Sequence, residues 1–217
     1  MSQSGWSEIA AAGFRARLPW LGGDLQTLRD TLKPPRLPVD LGEHVRVPMA
    51  CGGQLLAVHD HCPDAQALVL LLHGLGGHSD REGLRRMGLA LQAAGFSVLR
   101  LNLRGAGKGR ALASGTYAAH CNRDLWPVLE RARQLAGGKP LLGAGISLGG
   151  TILLNACLEQ ADALDGLVCT SSPLDLAACS ASIERPRNRI YQRWLMRRLV
   201  AQTLEDDSSV TPAEREG

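Results

Sequence analysis

An α/β fold with a mostly parallel sheet is the fold class this sequence predicts, on three observations. From residue 67 to residue 172, apolar runs alternate with stretches whose apolar residues recur at helical spacing. The runs "ALVLLLHG", "FSVLRLNLRG", "PLLGAGIS" and "ALDGLVCTSS" are almost continuously apolar, as expected of strands buried on both faces. Ahead of them, "EHVRVPMA" and "QLLAVHDH" flank Cys51-Gly52-Gly53, a hairpin signal.

Each element follows from local chemistry. Residues 1–42 read as irregular, with Pro34-Pro35 and Pro38 as breakers. "SDREGLRRMGLALQAAG" predicts a helix: Ser79 could cap it, acids sit in its first turn, Leu84, Met87 and Leu91 share a face, and Gly95 ends it. "HCNRDLWPVLERARQLAGG" predicts a second helix with Pro127 near its first turn, and "LGGTILLNACLEQA" a third. Residues 174–204 read as helical and rich in arginine. The expected organisation is an N-terminal segment 1–42, a core 43–173, and a helical cap-like segment with a tail, 174–217.

Composition narrows the function. The chain has 217 residues, 45% of them hydrophobic, enough for one α/β domain or part of a larger one. A net charge of +3 is too small to argue for nucleic acid. The six cysteines form no C-x-x-C pair, and "MSQSGWSEIAAAGFRAR" lacks the basic start and apolar stretch of a secretory leader. The apolar run Ala67–Leu72 is far too short to span a membrane. A soluble, cytoplasmic protein with reduced thiols is expected.

Two motifs carry chemistry. In Gly145-Ile146-Ser147-Leu148-Gly149 a serine stands between a strand and a helix, the G-x-S-x-G pattern that lifts a nucleophilic hydroxyl clear of the sheet. Glycines are needed on both sides because a Cβ there would collide across the turn. The Leu148 N–H then lies at a helix N-terminus, where partial positive charge favours an oxyanion. The second motif, "HGLGG" at 73–77, ends the first long apolar strand, where Leu75 would supply a second oxyanion N–H. His73 reads as structural, holding that loop by hydrogen bonds.

The segments "PWLGGDLQTL", "HGLGG", "NLRGAGKG" and "GISLGGTILLN" resemble the AB hydrolase 4 family of α/β-hydrolases. "SSPLDLAACSASIERPRNRIYQRWLMRRL" is similar to that family's segment after the sixth strand. The resemblance spans roughly residues 19–204 and implies an esterase-like or lipase-like serine hydrolase. Carried over, it makes Ser147 the nucleophile, with Leu75 and Leu148 as oxyanion donors. It implies a carboxylic ester hydrolase acting on a small-molecule or lipid ester, with no cofactor.

One departure follows. In this fold the triad runs Ser, then Asp or Glu, then His. No histidine follows His120, and none comes after Asp162, Asp165, Asp175, Asp206 or Asp207. The chain is therefore expected to lack its last strands, its triad acid and its triad histidine, and to be impaired. An out-of-order base would have to be His73, His78 or His120.

Rival readings are weaker. A non-catalytic remnant or binding module is the main alternative. "GAGISLGG" with Asp165 resembles a dinucleotide fingerprint, but leucine stands at 148 where its third glycine belongs. "RGAGKGR" fails as a phosphate loop because Asn102 and Gly109 replace its required glycine and hydroxyl residue. His59, His61, Cys62, Asp60 and Asp64 lack the second ligand cluster a metal would want, so no metal is expected. The six arginines between Arg185 and Arg198 suit a solvated helix over the site mouth better than a membrane face with Ile190, Trp194 and Leu195 opposite.

Overall fold

The computed structural model describes residues 15–34, 36–50 and 52–204. The leader reading of residues 1–14, Cys51 of the hairpin turn, and the pair Asp206 and Asp207 lie outside the described residues. The chain divides into two compact units, Met1–Pro38 and Val39–Gly217, rather than after residue 42. Asp40 explains the shift, since its carboxylate pairs with Arg85 and Arg100 of the second unit.

The first unit corrects the expectation of an irregular segment. A helix, α1, runs Gly22–Leu32, with Asp24 in its first turn and Arg29 in its last. Those charges suit the helix dipole. Gly22 and Gly23 stand at its start, where they interrupt nothing, and Pro34 follows its end.

In the second unit, β1 (Glu43–Pro48) and β2 (Gln54–Asp60) form the hairpin. Next come β3 (Leu68–Leu72), α2 (Glu82–Ala93), β4 (Ser97–Asn102) and α3 (Asn122–Ala136). β5 (Leu141–Ile146), α4 (Leu148–Glu159) and β6 (Gly166–Thr170) complete the sheet. α5 (Leu176–Ile183) and α6 (Arg189–Leu204) follow. The six-stranded sheet has the order β1-β2-β4-β3-β5-β6. β1, β2 and β4 pair antiparallel, whereas β4, β3, β5 and β6 are parallel.

Strand alternation puts two cores on opposite faces. Leu70, Leu72, Leu99 and Leu101 pack with Leu125, Val128 and Leu129 of α3 and Ile152 and Leu153 of α4. On the other face Leu71 and Val98 pack with Leu84 of α2. Arg100 points to this second face and is 2% exposed. It donates two hydrogen bonds to Asp60 (2.6 and 2.8 Å), two to Asp40 and one to the Ser79 carbonyl. Burial alone would lower its pKa, but the hydrogen bonds and charges of Asp60 and Asp40 more than offset that and raise it.

Local expectations also need correction. Ser79 does not cap α2; Arg81 occupies that position without a side-chain cap. Ser79 is committed to Asn102, which accepts from its N–H and donates to its Oγ. Pro127 falls in the second turn of α3, because the helix already begins at Asn122. Ile190 and Trp194 do not lie opposite the arginines. They share the exposed side of α6 with Arg189, Arg193 and Arg197, while Leu195 is half-buried.

Candidate active site

The turn between β5 and α4 is a single residue, Ser147, with φ 52° and ψ −127°. A non-glycine residue at positive φ carries a cost of roughly 1–3 kcal/mol and persists only where the surroundings enforce it. The surroundings do. The Ser147 N–H donates to the Thr170 carbonyl on β6 at 2.8 Å. A Cβ on Gly145 would collide with the Gly150 backbone, and one on Gly149 would lie 2.5 Å from the His73 carbonyl oxygen. The strand, the helix start and the end of β3 thus pack backbone to backbone.

The "HGLGG" loop meets the same serine. A Cβ on Gly74 would stand 2.9 Å from Ser147 Cβ and 3.4 Å from its Oγ. Leu75 follows, 39% exposed, and its N–H has no acceptor among the described residues. Leu148 is the first residue of α4, so its N–H has no intrahelical partner either. Two N–H groups free to bind a developing negative charge therefore stand on the residues after Gly74 and after Ser147.

His73 holds the loop and is unavailable as a base. Its Nε2 accepts from the Leu103 N–H at 3.2 Å, which leaves Nδ1 to donate to the Gly74 carbonyl at 2.8 Å. Burial lowers its pKa to about 4, so the ring is neutral near pH 7. Tyr117 completes the clamp. Its hydroxyl accepts from the Gly76 N–H at 2.7 Å and donates toward the Gly74 carbonyl, and its ring meets His73 edge-on. Sequence reading missed Tyr117, which sits in "ASGTYAAH", a loop without motif or periodicity.

No histidine serves Ser147 among the described residues, and its Oγ makes no hydrogen bond there. His78 lies beside Gly107, and burial lowers its pKa despite nearby Asp80. His120 is exposed and faces Glu159 at 3.9 Å. The downstream carboxylates have other work. Asp165 pairs with Arg133 and accepts from the Leu141 N–H, and Asp175 caps α5 through the Ala178 N–H. His59 and His61 approach each other, but no group of three metal-ligating side chains exists among the described residues.

α6 lies over the loop. The Arg198 side chain passes Gly76, its Cβ 3.6 Å from where a Cβ on that glycine would stand, and Gln202 donates to the Gly105 carbonyl at 2.9 Å. Among the described residues no helix is long and apolar enough to cross a membrane.

Comparison with known proteins bears on the family and the fold. Residues 63–216 match the family model for hydrolase 4, described as serine aminopeptidase, S33. The chain is 32% identical over 138 residues to phospholipase ABHD3 of Mus musculus, covering 59% of this chain and 30% of that protein. It is 29% identical over 140 residues to the medium-chain fatty acid ethyl ester synthase/esterase 2 of Saccharomyces cerevisiae, covering 63% of this chain and 30% of that protein. The matched part of the chain thus spans 30% of the length of each of these relatives. Among solved structures, a soluble variant of the Saccharomyces cerevisiae monoglyceride lipase superposes with a TM-score of 0.55 at 23% identity, covering 65% of this chain and 48% of that one. That likeness speaks to the fold. With a mostly parallel sheet and a family match over residues 63–216, the chain belongs to the hydrolase 4 family of the α/β-hydrolase superfamily.

Proposed function

We propose that this chain carries the nucleophile half of a carboxylic ester hydrolase site. Ser147 Oγ attacks the acyl carbon, the Leu75 and Leu148 N–H groups receive the oxyanion, the alcohol departs with a proton, and water later frees the acid. The observation that carries the reading is the positive φ of Ser147 where the "HGLGG" loop packs on it. The printed names of the relatives, a phospholipase and an ethyl ester synthase/esterase, favour acyl or lipid esters as the substrate class. Free thiols at Cys62, Cys121, Cys157, Cys169 and Cys179 suit a cytoplasmic, reducing setting.

A second reading is a non-catalytic binding module. The specific observation behind it is the commitment of His73 to Leu103 and Gly74, with no other imidazole beside Ser147 among the described residues. Without a base the serine hydroxyl is a weak nucleophile, and what remains of catalysis is roughly 10³–10⁴-fold over water from the oxyanion hole and binding. Turnover of p-nitrophenyl butyrate decides. The 217-residue chain should show none above Ser147→Ala. A version extended by a relative's segment bearing an acid and a histidine should hydrolyse the ester in a Ser147-dependent manner. An extended, folded chain that stays inactive would leave the binding-module reading standing.

A further inference from the structure

Beneath α6, beside the "HGLGG" loop, lies a pocket of about 150 Å³ lined by Leu75, Arg110, Thr116, Tyr117, Leu199 and Gln202, among others. Leu75 joins it to the serine, since the preceding residue, Gly74, packs on Ser147. At ~30 Å³ for each water-sized group, that volume is enough for a small polar group such as a carboxylate or phosphate.

The pocket's charge is one-sided. Three cations stand in the segment that leaves β4, and two are paired: Arg104 with Asp124, and Lys108 with Asp80 at 2.9 Å. Arg110 is different. Its Nη1 donates to the Gly105 carbonyl at 2.9 Å, and no carboxylate meets it among the described residues. Its Nε is buried without an acceptor. A second guanidinium, Arg198 of α6, reaches the same loop and lies over the Trp194 ring at 4.4 Å instead of against an acid. An ordered water could satisfy the Arg110 N–H but not its charge. A half-buried guanidinium fixed by a backbone carbonyl and lacking a counter-ion is arranged for an anionic oxygen pair, which its planar fork matches.

We propose that this pocket is an anion subsite, in which Arg110 anchors a carboxylate or phosphate carried by the ester substrate close to its scissile carbonyl; the assignment to a substrate rests on Ser147 and Leu75 forming the reacting side. Carboxylate and phosphate share the required chemistry, two or more oxygens sharing negative charge, and both suit the volume.

Butyrate, n-propyl phosphate and neutral butyramide, titrated separately into the 217-residue chain by calorimetry or NMR, test it. At least one anion should bind saturably, and butyramide at least about tenfold more weakly, the loss expected for a charge-assisted hydrogen bond. Tighter butyrate binding assigns the subsite to a carboxylate, and tighter propyl phosphate binding to a phosphate ester. Arg110→Gln should weaken the anion by a similar factor, with Arg110→Lys between. Absence of saturable binding, equal binding of butyramide, or indifference to a folded Arg110→Gln chain would overturn the subsite. If Arg110→Gln loses the wild-type melting transition, the anion-against-amide comparison on the wild-type chain decides alone. Binding is read without turnover, so the two proposals fail separately. A chain that binds the anion but fails the Ser147 test keeps the pocket and loses the hydrolase reading.

Discussion

The two sides of the parallel sheet's serine turn are built to different standards. On one side, β3 and β4 are buried along their whole length, and the loops that leave them are tied by His73, Tyr117 and Asn102. On the other side, β6 pairs only with β5 among the described residues, its Val168 is 65% exposed, and neither α5 nor α6 buries a residue fully. Ser147 stands at the seam, its N–H held by β6 and its Cβ abutted by the β3 loop. The positive-φ turn at Ser147 is thus fixed from both sides, by a β6 carbonyl and by the β3 loop, although the two sides differ in how deeply their side chains are buried.

The largest expected effect tests the rigid side. Arg100→Ala removes the partner of buried Asp60 and should destabilise the chain by about 3–5 kcal/mol, the cost of an uncompensated buried charge. Chemical denaturation measures it, and a loss below about 1 kcal/mol would mean that the buried pair is not what stiffens this face.

A smaller effect concerns His73. Its pKa falls from 6.5 when unfolded to about 4 when folded, so the unfolded chain binds the extra proton between those values. Stability from this group is therefore complete above pH 6.5 and is lost as pH falls toward 4, by up to about 3 kcal/mol. Denaturation midpoints at pH 7, 5.5 and 4.5 should show that decline, and His73→Asn should flatten it. An unchanged slope in a folded His73→Asn chain would assign the acid sensitivity elsewhere.

The smallest effect belongs to the open side. Val168→Lys should change stability by no more than about 0.5 kcal/mol, as surface substitutions usually do. It should also reduce self-association, because an apolar unpaired edge strand templates pairing with another chain. Sedimentation velocity compares the two chains, and equal association would show that the β6 edge is not adhesive.

The same contrast explains what was legible in the sequence. β3, β4 and β5 announce themselves because two-sided burial demands continuous apolar runs, and the serine turn because only glycine fits at 145 and 149. α1 was hidden by Gly22, Gly23 and the prolines that follow it, which signal irregular chain unless the helix start falls between them. The Ser79 cap misled because a hydroxyl before a helix looks the same whether it bonds the helix or, as here, Asn102. Tyr117 depends on a contact 41 residues away, with Gly76, and Arg110 gains its pocket only where α6 residues line the same space, and no local pattern encodes either.

The proposed role of Ser147 as nucleophile, with no imidazole beside it among the described residues, is tested most directly by labelling with a fluorophosphonate probe. Intact mass and peptide mapping of the 217-residue chain after exposure should show Ser147 unlabelled. The version extended by an acid and a histidine should carry one adduct, on Ser147, that Ser147→Ala abolishes. Rapid labelling of Ser147 in the 217-residue chain alone would contradict the account, because it would require His73, His78 or His120 to act as base. An adduct on another serine of the extended chain would contradict the assignment of the nucleophile itself.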